Sequence, residues 1–201
     1  MALLFAKNNS LSAVTALPAS ISGGGLNLIS TQTASSSSTI DFTSGIDSTY
    51  KEYIFKFINI HPSADGSQFL FNLSVDAGSN YNVTKTTTAF RSFHSEDDSA
   101  TGLGYYTGGD LAQSTDFQRF ADSLGNDNDQ SLSGTFTLFN PSSTTFVKHF
   151  IANVNYSYDA DYSLQYFMAG YGNTTSAINA IQFKMNSGNI DSGTITLYGI
   201  N

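Results

Sequence analysis

From Ile178 to Ile200 the chain reads INAIQFKMNSGNIDSGTITLYGI, and its apolar residues recur at every second position. Ile181, Phe183 and Met185 alternate with Gln182, Lys184 and Asn186; Ile195 and Leu197 alternate with Thr194, Thr196 and Tyr198. A period of two belongs to a strand with one dry face and one wet face. Between the two runs, Gly188, Asn189, Asp191 and Gly193 supply turn conformations at little steric cost. The stretch predicts a hairpin that closes a sheet, with its apolar end held inside that sheet rather than frayed.

The same signature runs through most of the chain. Leu26–Thr33, Thr39–Thr43, Tyr50–Ile60, Ser67–Val75, Tyr81–Phe93, Ser131–Phe139, Phe146–Val154 and Tyr162–Ala169 all read as short strands between Gly-, Asn-, Asp- and Pro-containing turns. Tyr50–Ile60 is the most apolar, with Tyr53, Phe55 and Phe57 on one face and Ile54, Ile58 and Ile60 on the other. It is either covered on both sides or presents one face to a partner. With Ser67–Val75 it predicts a meander hairpin. Tyr81–Phe93 reads as an edge strand, where Lys85 and Arg91 would blunt the edge. One helix is predicted, over Thr115–Leu124. There Phe117, Phe120, Ala121 and Leu124 keep helical spacing, Thr115 and Gln118 have capping-box spacing and Gly125 is a stop. The pattern predicts an all-β fold: an antiparallel, jelly-roll-like β-sandwich of about ten strands with one short helix. Residues 27–201 form the sandwich and residues 1–26 an extended N-terminal arm. Leu3, Leu4, Phe5, Leu11, Val14 and Leu17 read as the arm's apolar anchors, expected to dock on a neighbouring subunit.

Composition narrows the function classes. Net charge is −8, and the eight Lys and Arg are scattered without a basic stripe. Nucleic-acid binding and adhesion to an anionic membrane are therefore disfavoured. The absence of Cys removes disulfide and thiolate chemistry. No apolar run reaches the ~20 residues that span a bilayer, and no basic segment precedes the apolar start as in a signal peptide. Only 12% of residues are charged, against ~25% in an average domain; Ser, Thr, Asn and Gly carry the polarity instead.

Catalytic and metal signals are weak. His61, His94 and His149 lack metal-ligand spacing and suit surface or packing roles. Ser is frequent, but no nucleophile elbow accompanies it. Carboxylates cluster at Glu96-Asp97-Asp98, Asp127-x-Asp129 and Asp159-x-Asp161, and none forms a recognisable glycosidase pair. Asp127-Asn128-Asp129 opens like a calcium loop but lacks the Gly and distal Glu, so a solvated turn is the simpler reading. No cofactor and no metal are expected. Tyr105, Tyr106, Tyr156, Tyr158 and Tyr162, with Asp159 and Asp161, have the chemistry of a sugar-binding surface: rings for apolar sugar faces and carboxylates for hydroxyls. The same tyrosines also suit ordinary sandwich packing with the phenol at the rim.

Three stretches carry a resemblance. AINAIQFKMNSGNIDSGTITLYGI (177–200), LGNDND followed by SGTFTLFNPSSTT (124–145) and YKEYIFKFINIHPSADG (50–66) resemble virion proteins of tailed bacteriophages, over about residues 40–201. The shared motifs are structural. The resemblance implies a non-enzymatic protein of the particle exterior, tail- or fibre-associated or capsid-decorating. It would form a homo-oligomer, by analogy a trimer, and contact other virion proteins. The competing expectation is a glycan-binding adhesin module that contacts host surface polysaccharide; a depolymerase is the weakest reading.

Overall fold

A computed structural model describes residues 25–200. All regular elements among them are strands: β1 (Asn27–Thr33), β2 (Ile40–Phe42), β3 (Glu52–Pro62), β4 (Phe69–Ser74), β5 (Lys85–Ser95), β6 (Thr101–Tyr105), β7 (Gln118–Arg119), β8 (Leu132–Phe139), β9 (Lys148–Tyr158), β10 (Tyr162–Gly172), β11 (Ala180–Met185) and β12 (Ile190–Ile200). They make two antiparallel sheets. The larger has eight strands in the order β1-β12-β3-β8-β9-β10-β5-β6, and the smaller has four in the order β2-β11-β4-β7. The all-β, two-sheet expectation holds, with twelve strands in place of about ten. The apolar arm anchors Leu3 to Leu17 lie outside the described residues.

The sheets meet through phenylalanine. Phe55 and Phe57 of β3 and Phe136 of β8 face Phe42, Phe69, Phe71 and Phe183 of the smaller sheet. Edge-on contacts include Phe42–Phe55 at 5.3 Å and Phe57–Phe69 at 5.3 Å. Phe120 sits among them, 4.8 Å from Phe71 and 5.0 Å from Phe57. Such offset and edge-to-face pairs add to the area they bury.

Four local expectations are corrected. The predicted helix over Thr115–Leu124 is absent; its middle forms β7, the edge strand beside β4. Phe120 N–H donates to the Phe69 carbonyl (2.7 Å), and Leu124 N–H to that of Ser67 (2.7 Å). Phe120, Ala121 and Leu124 are fully buried, so the spacing identified the dry residues but not their backbone. A segment this short, with Thr, Asp and Ser among its residues, gains more from completing a sheet than from one isolated helical turn.

The predicted closing hairpin is a crossing between sheets. β11 pairs with β2 and β4, whereas β12 pairs with β1 and β3. Gly193 lies not in the turn but in an irregular stretch of β12 facing Asn59. Its φ is +112°, and a Cβ there would lie 2.5 Å from the Asn59 carbonyl oxygen, so glycine is required. The predicted β3–β4 meander likewise joins opposite sheets.

β5 is not an edge strand. It pairs with β10 on one side and β6 on the other. Lys85 points inward and is fully buried; its ammonium donates to Asn72 Oδ1 (2.6 Å) and the Val83 carbonyl (2.8 Å). Burial pushes its pKa down to about 8.

Candidate functional site

The larger sheet outnumbers the smaller by strands β9, β10, β5 and β6, and both faces of this extension carry distinctive chemistry. Strand register sorts the residues by face. Val154, Tyr166 and Arg91 lie side by side on the inner face, as do Tyr156, Leu164 and Phe93 one step along; Tyr158 and Tyr162 follow. On the outer face Thr137, Ile151, Ala169 and Thr88 form one row; Asn153, Phe167, Phe90 and Tyr105 form the next.

The inner face beyond the core opens into a cleft of about 160 Å³ lined by Arg91, Phe93, Tyr158, Tyr162 and Leu164. Its aromatic walls touch: Phe93–Tyr162 ring centres lie 5.7 Å apart and Tyr158–Tyr162 5.8 Å. The Phe93 ring leans over Gly102 of β6, where a Cβ would approach it to 2.6 Å. The Arg91 guanidinium stacks on the Tyr106 ring at 4.0 Å. Tyr106 donates its hydroxyl proton to Asp122, whose other oxygen accepts from Arg119 (3.2 Å) and Gln68 (3.1 Å). Burial, then the Asp122 carboxylate, raises the Tyr106 pKa.

The sugar-surface residues predicted from sequence do not share one surface. Tyr158 and Tyr162 are half-buried cleft residues, and Asp159 and Asp161 sit exposed in the turn joining β9 to β10. Burial, then Asp65 and Asp122, raises the Asp159 pKa. Tyr156 is buried in the core, where its hydroxyl donates to the Asp122 carbonyl (2.9 Å) and accepts from the Asp122 N–H (3.1 Å). Tyr106 is the half-buried platform under Arg91. Tyr105 projects from the opposite face and bonds Asp110. Arg91, Phe93 and Leu164 are cleft residues missed in the sequence. The available signal was parity: Ala89, Arg91 and Phe93 alternate on one face, so Arg91 points where Ala89 points.

A separate polar hollow of about 430 Å³ adjoins Tyr162, lined by Ser95, Glu96, Asp97, Ser99, Ala160 and Asp161. Hydrogen bonds from Ser99 and Ser95 hold the Asp97 carboxyl below its ordinary range. Asp127 and Asp129 are exposed, and Gln130 bonds back to Asp127. Among the described residues, no three His, Asp or Glu side chains gather closely enough to hold a metal ion. The histidines lie apart: His61 bonds the Gln130 carbonyl, His94 pairs with Asp98 and His149 packs on Tyr171.

Among the described residues, none covers the outer face of the extension. Leu103 is 77% exposed, Ile151 53% and Phe90 45%, and Phe90 stacks on Phe167 at 4.7 Å. Beside them runs a shallow, largely apolar groove of about 440 Å³ between Thr86, Phe139, His149, Ile151 and Tyr171. Gly170 lines it through its backbone only, since a Cβ there would point to the inner face, toward Thr87 and Phe150. No Asp, Glu, Lys or Arg projects from this face on β8, β9, β10, β5 or β6. Comparison with protein-family models, with curated proteins and with solved structures finds no match to the chain.

Proposed function

We propose that this chain is a non-enzymatic structural protein of the exterior of a tailed-bacteriophage particle, tail- or fibre-associated or capsid-decorating. In this reading it is a jelly roll that associates with copies of itself, a trimer by analogy, and meets other virion proteins through its N-terminal arm.

The observation that carries the reading is the uncharged, uncovered outer face of the extension. The molecule bears a net charge of −8, so most of its surface repels a second copy. The outer face of β8, β9, β10, β5 and β6 brings no fixed charge to a self-contact. It offers aromatic and aliphatic side chains ringed by Thr, Asn and Ser. Charge depletion with aromatic enrichment is the composition of an interface centre, and a second copy is the occupant that such a face admits without like-charge cost.

Strand order supports the jelly-roll part. With β5, β6, β9 and β10 set aside, the larger sheet contains the first, eighth, third and sixth remaining strands, and the smaller the second, seventh, fourth and fifth. First pairs with eighth, second with seventh, third with sixth and fourth with fifth. That is a long antiparallel ribbon rolled into two sheets, an arrangement common in capsid and lectin domains. The resemblance over about residues 40–201 supports the particle setting.

The test is immunogold labelling of intact particles together with deletion of residues 1–25. Surface labelling with the full chain and loss of incorporation for the truncated chain are expected. Normal incorporation without the arm counts decisively against the attachment role, and unlabelled particles against the setting.

A further inference from the structure

We propose that the cleft between β5, β9 and β10 binds a carboxylate-bearing sugar ring, with Arg91 holding the carboxylate. This stands independently of any role in particle assembly.

Among the described residues, no hydrogen bond or ion pair engages the Arg91 guanidinium, although the chain carries twice as many acids as bases. Asp122, the carboxylate nearest in the network, already accepts from Arg119, Gln68 and Tyr106. The Arg91 Cζ lies over the Tyr106 ring at 4.0 Å, a contact that holds the guanidinium in place without using its N–H donors. A planar, pre-oriented fork with free donors matches a carboxylate, which can accept two parallel N–H bonds.

The cleft walls specify the remainder of the ligand. Phe93, Tyr158, Tyr162 and Leu164 line it with three aromatic rings and an aliphatic side chain, a lining suited to the C–H surface of a pyranose. The hydroxyls of Tyr158 and Tyr162 make no hydrogen bond among the described residues, so both can serve sugar hydroxyls. At about 160 Å³ the cleft has room for a single ring. Tyr162 also borders the hollow lined by Glu96, Asp97 and Asp161, which repels anions at that end. A uronate, with one charge on one side of its ring, can place that charge at Arg91 and its hydroxyls toward the acidic end. A phosphate dianion has no such orientation.

The test is calorimetric titration of the full chain with tetramers of galacturonate, glucuronate and mannuronate. Their methyl esters, maltotetraose and benzoate serve as controls. At least one uronate tetramer is expected to bind, with about tenfold loss on esterification and on Arg91→Lys, which keeps the charge but removes the fork. Tyr162→Phe should weaken binding less, by removing one hydroxyl. Failure of every uronate at about 10 mM overturns the proposal, as does equal binding of acid and ester. Benzoate binding as tight as the tetramers overturns the sugar assignment. The ester comparison uses the unaltered protein, so it decides the matter even if a variant misfolds.

Discussion

Strand β9 belongs to two different environments. Its inward residues Phe150, Ala152, Val154 and Tyr156 are buried, and the intervening His149, Ile151, Asn153 and Asn155 are exposed. The inward set fills a core in which five phenylalanines, Phe57, Phe69, Phe71, Phe136 and Phe183, pack against Phe120. The outward set joins a face that is apolar in places, whose strands carry no Asp, Glu, Lys or Arg, and that no other described residue covers. One face is specified by packing and the other is available for recognition. Substitutions of similar size should therefore have opposite signatures on the two faces: lost stability inside, and lost association with little stability change outside.

The largest effect is expected in the core. Phe120→Ala removes a fully buried ring and should cost about 3–5 kcal/mol, read as a shift of the urea midpoint.

Lys85 supplies the next. Its folded pKa of about 8 lies below the ~10.4 of an unfolded lysine, so between those values the unfolded chain holds more protons. Stability should then rise with pH from about 8 to about 10, by on the order of 2–3 kcal/mol. Above pH ~10 the sign reverses, because burial raises the Tyr156 and Tyr166 pKa values and the unfolded chain is the one that loses protons first. Lys85→Met should flatten the rising limb in thermal melts taken across this range.

Gly193→Ala should cost about 1–3 kcal/mol, because φ is +112° and the new Cβ meets the Asn59 carbonyl. Gly104→Ala on β6, with open space around it, should change stability by less than about 1 kcal/mol. Smallest of all, Phe90→Thr on the outer face should leave the urea midpoint of the monomer within about 0.5 kcal/mol of the parent.

Period-two alternation made the strands and most of the core legible in the sequence. Tyr53, Phe55, Phe57, Ile181 and Phe183 are buried as their spacing requires. Alternation reports which side of a strand is dry but not which strand lies beside it. Hence β11 and β12, adjacent in sequence and each well patterned, read as a hairpin although they lie in opposite sheets. Ile60 shows a second limit. Alternation groups it with Ile54 and Ile58, yet it is buried while Ile58 is 50% exposed, because Asn59 adopts a positive φ of 51° and resets the register. The helix failed for a third reason: three-and-four spacing of Phe117, Phe120, Ala121 and Leu124 recorded burial, and the edge of β4 offered those backbone groups better partners. At the cleft, Tyr158 and Tyr162 were legible as exposed aromatics. Arg91 was not, since its partner ring Tyr106 and the saturated Asp122 arrive from distant loops.

The claim that the outer face is where copies meet can be tested by sedimentation velocity on the full chain and on an Ile151→Glu/Phe90→Glu variant at about 100 μM. The parent chain is expected to sediment as an oligomer, a trimer by analogy, and the variant as a monomer with a near-parental thermal midpoint. A parent chain that sediments as a monomer, or a variant that assembles as the parent does, would contradict that claim.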